Sequence, residues 1–200
     1  MAQPVIINSG GANLASLRFA LQRLDMDVPV TRDAAAIRAA SHVLLPGVGA
    51  ARDAMDRLAA AGLDEVIRSL TQPVLGICLG MQLLFTTSEE DEAKCLDVIP
   101  GRAVRFPERA NLPVPQMGWN ELVPCKQSPL LTGIGAGSYA YFVHSYAVPV
   151  GDFTLATTDY GGPLSAVVGQ DNFFGTQFHP ERSARVGARI LRNFLELPWN

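Results

Sequence analysis

The sequence predicts an α/β fold: an open, mostly parallel sheet with helices on both faces, extended by antiparallel strands in its C-terminal half. Three observations carry this expectation. Short apolar, β-branched runs alternate with helix-periodic stretches from Val5 to Ala61. The run Pro73-Val74-Leu75-Gly76-Ile77 has the length of a buried parallel strand and passes directly into the helix-forming Met81-Gln82-Leu83-Leu84-Phe85. Later, the pattern changes to short strands separated by Gly and Pro, as in antiparallel additions to a parallel core.

Taken in order, Val5-Ile6-Ile7 is a first strand, and Asn8 to Asn13 is a loop rich in turn and capping residues. Leu14, Leu17, Leu21 and Leu24 recur at helical spacing, and Asp27-Val28-Pro29-Val30 reads as an edge strand because of its proline. Asp33 caps a short helix over Ala34 to Ala40, and Val43-Leu44-Leu45 returns to a buried strand. That strand ends in Pro46-Gly47-Val48-Gly49, before an alanine-rich helix from Ala50 to Ala61 with Met55 and Leu58 on one side. Ser88 to Glu92 is acidic and aperiodic, which predicts a solvated loop without a role. Strands are expected at Ala103–Phe106, Glu121–Val123, Tyr139–Val143, Phe153–Ala156, Ala166–Val168 and Phe173–Gln177. A final helix, Ser183 to Leu197, buries Val186, Ile190, Phe194 and Leu197 and turns Arg182, Arg185, Arg189 and Arg192 to solvent.

Composition narrows the function. Two hundred residues, 48% of them hydrophobic, suit one domain spanning 1–200. A formal net charge of −3 without a Lys/Arg block argues against a nucleic-acid or membrane surface. No apolar run reaches spanning length, and Met1-Ala2-Gln3-Pro4 lacks the charged start of a signal peptide, so a cytoplasmic protein is expected. Cys78, Cys95 and Cys125 form no C-x-x-C pair, and His42, His144 and His179 lack metal-ligand spacing. No metal or cofactor is expected.

The chemistry centres on Gly76-Ile77-Cys78-Leu79-Gly80, a cysteine between two glycines at a strand-to-helix junction. It is the thiol counterpart of the G-x-S-x-G nucleophile elbow, in which a sharp turn demands small flanking residues. The helix start favours a thiolate and leaves the Leu79 N–H free for an oxyanion. Downstream, Gly175-Thr176-Gln177-Phe178-His179-Pro180-Glu181 places an imidazole and a carboxylate two residues apart on extended chain, hence on one face. Together these predict a Cys78-His179-Glu181 triad. The Pro46–Gly49 loop lacks the phosphate-loop lysine and offers a backbone N–H of Gly47 or Val48 as second oxyanion donor.

With Pro46-Gly47-Val48-Gly49, Gly76-Ile77-Cys78-Leu79-Gly80-Met81-Gln82 and Phe178-His179-Pro180-Glu181 in that order, the chain resembles the class I, triad-type glutamine amidotransferases. Gln116-Met117-Gly118-Trp119-Asn120, Tyr141 to Tyr146 and Thr157 to Gly162 are similar to the glutaminase subunits of imidazole glycerol phosphate synthases, and the likeness runs nearly end to end. It implies L-glutamine as substrate and a separate (β/α)8-barrel cyclase subunit as heterodimer partner in histidine biosynthesis. It further implies that Gly49, Gln82, His144, Ser145 and Tyr146 contact glutamine and that Asn13 and Trp119 lie at the subunit interface. Asn8 stands where aspartate is common in that family, and Gln116 where histidine is common. Two other readings share the fold: a glutaminase serving a different acceptor synthase, and a docking subunit without catalysis. The freedom of Gly47 and Gly49 also predicts a peptide reorientation as the switch that couples the glutaminase to its partner.

Overall fold

The computed structural model describes residues 3–10, 14–107 and 112–199. The first half contains β1 (Val5–Ile7), α1 (Leu14–Gln22), β2 (Val30–Thr31), α2 (Ala34–Ala39), β3 (Val43–Gly47), α3 (Ala51–Ala60), α4 (Leu63–Arg68), β4 (Val74–Cys78) and α5 (Leu79–Gln82). There follow β5 (Phe85–Ser88), β6 (Ala93–Lys94), β7 (Ile99–Arg105), β8 (Gln116–Glu121), β9 (Val123–Pro124) and β10 (Tyr139–His144). The chain closes with β11 (Tyr146–Ala147), β12 (Thr154–Asp159), β13 (Pro163–Gln170), β14 (Phe173–Thr176) and α6 (Ala184–Leu195).

The main sheet has eight strands in the order β2-β1-β3-β4-β14-β13-β12-β9. From β2 to β14 every pairing is parallel, and from β14 to β9 every pairing is antiparallel. The two-residue strand period divides the core into two layers. Ile7 and Leu45 face one cluster with Ile37, Leu58 and Ile67 of α2, α3 and α4. Their neighbours Ile6 and Leu44 face the other, with Leu17 and Leu21 of α1 and Ile190 and Phe194 of α6. Helices therefore cover both faces, as the sequence predicts. Two smaller sheets, β11-β7-β5-β6 and the antiparallel ribbon β10-β8, stand beside the main one. Among the described residues no helix is long and apolar enough to cross a membrane.

Several boundaries differ from the sequence expectation. The helix expected through Phe85 stops at Gln82, because Phe85, Thr87 and Ser88 pair with Ile99, Arg102 and Ala103 of β7. Helix α4 was not anticipated: its apolar Leu63, Val66 and Ile67 occupy too short a segment to show a period. The expected Asp27–Val30 strand is confined to Val30–Thr31, the two residues that pair with Ile6 and Ile7 at the sheet edge. Glu121–Val123 is broken at the buried Leu122, where the chain leaves its partner β10 and joins β12. Asn13 lies outside the described residues.

The junction of β4 with α5 is the tightest point in the fold. Gly80 packs against β3 so closely that a Cβ there would sit 1.8 Å from the Leu45 carbonyl oxygen. A Cβ on Gly76 would lie 2.6 Å from the Gly80 carbonyl oxygen. Overpacking of backbone on backbone cannot be relieved by a rotamer change. Gly80→Ala is expected to destabilise the protein by about 3 kcal/mol or more in urea unfolding. Gly135→Ala, at a position with nothing within 4 Å of the added carbon, serves as the neutral control.

Candidate active site

The residues on which the sequence focuses converge at the C-terminal ends of β3, β4 and β14, where open α/β sheets bind ligands. Cys78 ends β4 with φ 54° and ψ −113°, a conformation outside the usual regions for an L-residue and characteristic of a strained elbow. Gly47 is its direct partner across the β3–β4 ladder. His179 follows β14 in extended conformation, held by its own N–H to the Tyr141 carbonyl at 3.1 Å. Its Nδ1–H donates to Glu181 Oε1 at 2.9 Å, so Nε2 is the ring nitrogen left for chemistry.

Cys78, His179 and Glu181 line one cavity of about 450 Å³. Gly47, Val48, Gly49 and Leu79 form one part of its wall, and Gln82, His144, Ser145 and Tyr146 another. Of the sequence-predicted site residues, Trp119 stands apart: it is 52% exposed on β8 and so is not part of the core. Gly47 and Gly49, expected to share a reorienting peptide, differ. Gly47 is held in the ladder, and a Cβ on it would lie 2.7 Å from the Gly80 nitrogen. Gly49 has φ 93° and open space around it, so conformational freedom resides there.

Two imidazoles in this cavity are driven in opposite directions. Burial alone lowers His179, but hydrogen bonding and charge attraction from Cys78 and Glu181 outweigh it and raise its pKa to about 10. His144 is lowered to about 4, mainly by burial, with a smaller contribution from the charge of His179 and partial opposition from its bond to Tyr146. A carbonyl only accepts, so the 2.7 Å contact with Tyr146 O fixes the proton on His144 Nδ1. Its Nε2 is a buried acceptor with no partner among the described residues. His144 is thus both a satisfied strand histidine and part of the cavity wall.

Gln82 donates both amide protons inward, to Tyr146 O at 2.8 Å and Gln177 Oε1 at 2.9 Å. Gln177 in turn directs its Nε2 at the Cys78 sulfur, 3.8 Å away. Neither Gln177 nor Glu90 was singled out from the sequence. Gln177 sits in a stretch that reads as strand, with nothing to mark its side chain as buried among polar groups. Glu90 belongs to the run assigned to a solvated loop, but it lines the cavity, and its Oε2 accepts the Ala51 N–H at the start of α3 at 2.8 Å. Burial pushes its carboxyl above the usual range, opposed by that bond and reinforced by Asp91. Arg182 is exposed, as expected of the solvated basic stripe, but it precedes α6, also lines the cavity and stands 5.4 Å over the Tyr141 ring. The departures at Asn8 and Gln116 lie in different settings. Asn8 Oδ1 accepts the Gly10 N–H, whereas Gln116 is fully buried opposite His144 in the β8–β10 ribbon.

Residues 5–197 match the family model described as glutamine amidotransferase class-I. The chain belongs to this family. Two relatives, each called imidazole glycerol phosphate synthase subunit HisH, come from Xanthomonas euvesicatoria pv. vesicatoria and Xylella fastidiosa. The first is 53% identical over 199 residues, covering 100% of both chains, and the second 51% identical over 197 residues, covering 98% of both. Among solved structures, a glutamine amidotransferase superposes with TM-score 0.75 at 19% identity over 96% of this chain and 97% of the other. PurLQS from Thermotoga maritima superposes with TM-score 0.70 at 17% identity over 97% of each chain. At these identities the two structures speak for the fold alone.

The opposed imidazoles are checked by NMR titration of the histidine ring protons. His179 is expected to stay charged through pH 8 and titrate near 10, and Cys78→Ala to lower that midpoint, while His144 stays neutral until about pH 4. A folded-state value above the ordinary 6.5 means the His179 charge stabilises the fold fully below pH 6.5. That contribution is lost as the pH rises through about 10.

Proposed function

We propose that this chain is the glutaminase subunit of an imidazole glycerol phosphate synthase in histidine biosynthesis: it hydrolyses L-glutamine and passes the ammonia to a separate (β/α)8-barrel cyclase subunit. The observation that carries this reading is the thiol–imidazole–carboxylate cluster in a family member 51–53% identical to HisH subunits along their length. In this reading the whole chain, 1–200, is one cytoplasmic amidotransferase domain.

The Cys78 thiolate attacks the side-chain amide carbon of glutamine. The oxyanion of the tetrahedral intermediate is met by the N–H of Leu79, which as the first residue of a helix has no intrahelical acceptor, and by the Gly47–Val48 backbone. The His179 Nε2–H protonates the departing amine as the C–N bond breaks, leaving a γ-glutamyl thioester and ammonia. Now neutral, His179 takes a proton from water as its oxygen attacks the thioester. The C–S bond then breaks, releasing glutamate and restoring thiolate and imidazolium. Glu181 keeps the ring in the tautomer that exposes Nε2.

Substrate orientation follows from what is left unpaired. With its NH2 committed inward, Gln82 presents a carbonyl oxygen to the glutamine, beside Gly49 and the His144-Ser145-Tyr146 segment. Glu181 is engaged by His179, so Glu90 is the cavity carboxylate that receives the substrate α-ammonium group. Glu90→Gln is expected to raise the KM for glutamine about tenfold, with kcat changed less, since an ion pair to bound substrate is lost in ground and transition state alike.

Ammonia released into neutral water becomes ammonium and loses its nucleophilicity, so the acceptor must dock beside the cavity. The β8–β10 ribbon offers the surface: Met117, Trp119 and Tyr139 are 65%, 52% and 49% exposed, and Trp119 packs edge-on against Tyr141. Aromatic anchors of this kind dominate interface energetics. Trp119→Ala is expected to weaken cyclase binding about 30-fold without lowering the thermal midpoint. The reading as a whole is tested by glutamate release from the purified chain alone, then with the cyclase and its nucleotide ligand. Strong stimulation that disappears in Cys78→Ser is expected. Cys78-dependent activity indifferent to the cyclase points to another acceptor, and silence in every mixture to a docking subunit without catalysis.

A further inference from the structure

Gln177 is a fully buried polar side chain in direct reach of the nucleophile, and the triad does not account for it. Its backbone N–H is satisfied by Ala166 O at 2.9 Å, so the residue is a regular part of the sheet continuation and only its carboxamide needs explanation. The polarity of the surrounding bonds is set from one end. Tyr146 O accepts only, so the Gln82 atom 2.8 Å from it is the NH2 group. The second proton of that NH2 meets Gln177 at 2.9 Å, which must present its oxygen there. The Gln177 NH2 is thereby turned to the Cys78 sulfur at 3.8 Å. Flipping Gln82 would set its carbonyl oxygen against two acceptors, and flipping Gln177 would set donor against donor and a carbonyl oxygen against the sulfur.

We propose that Gln177 acts twice in the glutaminase reaction: its N–H donates to the reacting Cys78 sulfur, and its oxygen clamps Gln82 in the orientation that faces glutamine. The inference rests on the assignment of Cys78 as nucleophile. A carboxamide suits the first role because it does not titrate. It favours the thiolate over the thiol without competing with His179 for the proton, and it stabilises the same thiolate again as the leaving group when the thioester is hydrolysed. The second role follows from burial. With Gln177 and Tyr146 both accepting from its NH2, Gln82 loses its freedom to rotate and its carbonyl is pre-oriented at no further entropic cost when substrate arrives.

Two substitutions separate the roles. Gln177→Met removes both the donor and the clamp, whereas Gln177→Glu keeps an oxygen for Gln82 and sets a negative group against the sulfur. Each full-length variant is assayed with its cyclase subunit for glutamine kcat and KM. Iodoacetamide labelling of Cys78 is followed from pH 6 to 9.5 by peptide mass spectrometry, with the exposed Cys125 as internal reference. In Gln177→Met, labelling of Cys78 is expected to slow about tenfold at pH 7, the loss of one hydrogen bond to a charged group, and the deficit to shrink as the pH rises. Its kcat falls and its KM rises. In Gln177→Glu the labelling and kcat losses are at least as large, but KM stays near wild type. A residue that merely fills space would not produce a defect that closes with rising pH. Labelling of Cys78 that matches wild type at every pH in both variants, while Cys78→Ser still abolishes glutaminase activity, overturns the role of Gln177 alone. Glutamate release that survives Cys78→Ser overturns the nucleophile assignment, and this inference falls with it.

Discussion

The backbone of Cys78 is held at φ 54° and ψ −113°, and the rest of the site depends on that strained residue. Such a conformation costs on the order of 1–3 kcal/mol and persists only where the surroundings allow no alternative. Here they consist of main chain on three sides. Gly80 lies against the Leu45 carbonyl, Gly76 against the Gly80 carbonyl, and Gly47 against the Gly80 nitrogen. The contacts need β4 to lie between two parallel neighbours in fixed register, Leu45 opposite Gly76 and Gly47 opposite Cys78 on one side, Gly175 opposite Gly76 on the other. Because β3, β4 and β14 end at the same level, the loop after β3, the thiol and the Gln177-to-Glu181 segment arrive together. The geometry of the candidate site follows from strand order.

Within that frame, burial lowers both imidazoles, and only His179 has hydrogen-bond and charge partners that reverse the effect. His144 and His179 are about equally hidden, at 6% and 8% exposure, yet they are driven in opposite directions. His179 faces two groups that carry negative charge when ionised, whereas His144 faces a neutral carbonyl and a neighbouring cation. A protonated His179 and a neutral His144 give the cavity one mobile proton, at the ring nitrogen that Glu181 leaves exposed. Cys95 shows the contrast for thiols. Burial, with some help from Glu90, pushes it to about 11, so it remains a protonated core residue.

Much of this was legible in the sequence, and the omissions share a cause. The alternating strands and helices, the Asp33 cap, which accepts the Ala35 N–H at 3.0 Å, and the elbow glycines all follow from local rules of period, capping and size. The convergence of Pro46–Gly49, Cys78 and His179 was readable because motif order on a doubly covered parallel sheet implies which strand ends meet. Glu90, Arg182 and Gln177 were missed because their environment is made by residues 39, 41 and 99 positions away: Ala51, Tyr141 and Cys78. A glutamate within Glu89 to Glu92 carries no local mark that one of its neighbours caps α3. Likewise Phe85 has fair helix propensity, and only the pairing of β5 with β7 makes it a strand residue.

The β8–β10 ribbon links Cys78 to the outer surface by the simplest property of a strand, its alternation. On β10, Ala140, Phe142 and His144 point inward and are buried, while Tyr139 is exposed and Tyr141 and Val143 are half-buried. The same strand that presents aromatic side chains outward therefore presents its backbone inward to Cys78 and His179. The Val143 carbonyl lies 3.9 Å from the Cys78 sulfur, and the Tyr141 carbonyl accepts the N–H of His179. Tyr141 N–H is tied in turn to Ser183 Oγ, which donates to the His179 carbonyl at 2.7 Å. The exposed face of Trp119 and Tyr139 is thus one strand away from both the sulfur and the imidazole. The β10 backbone touches His179 directly, without a relay through the packed core. The antiparallel extension both completes the cavity wall and carries the exposed aromatic face.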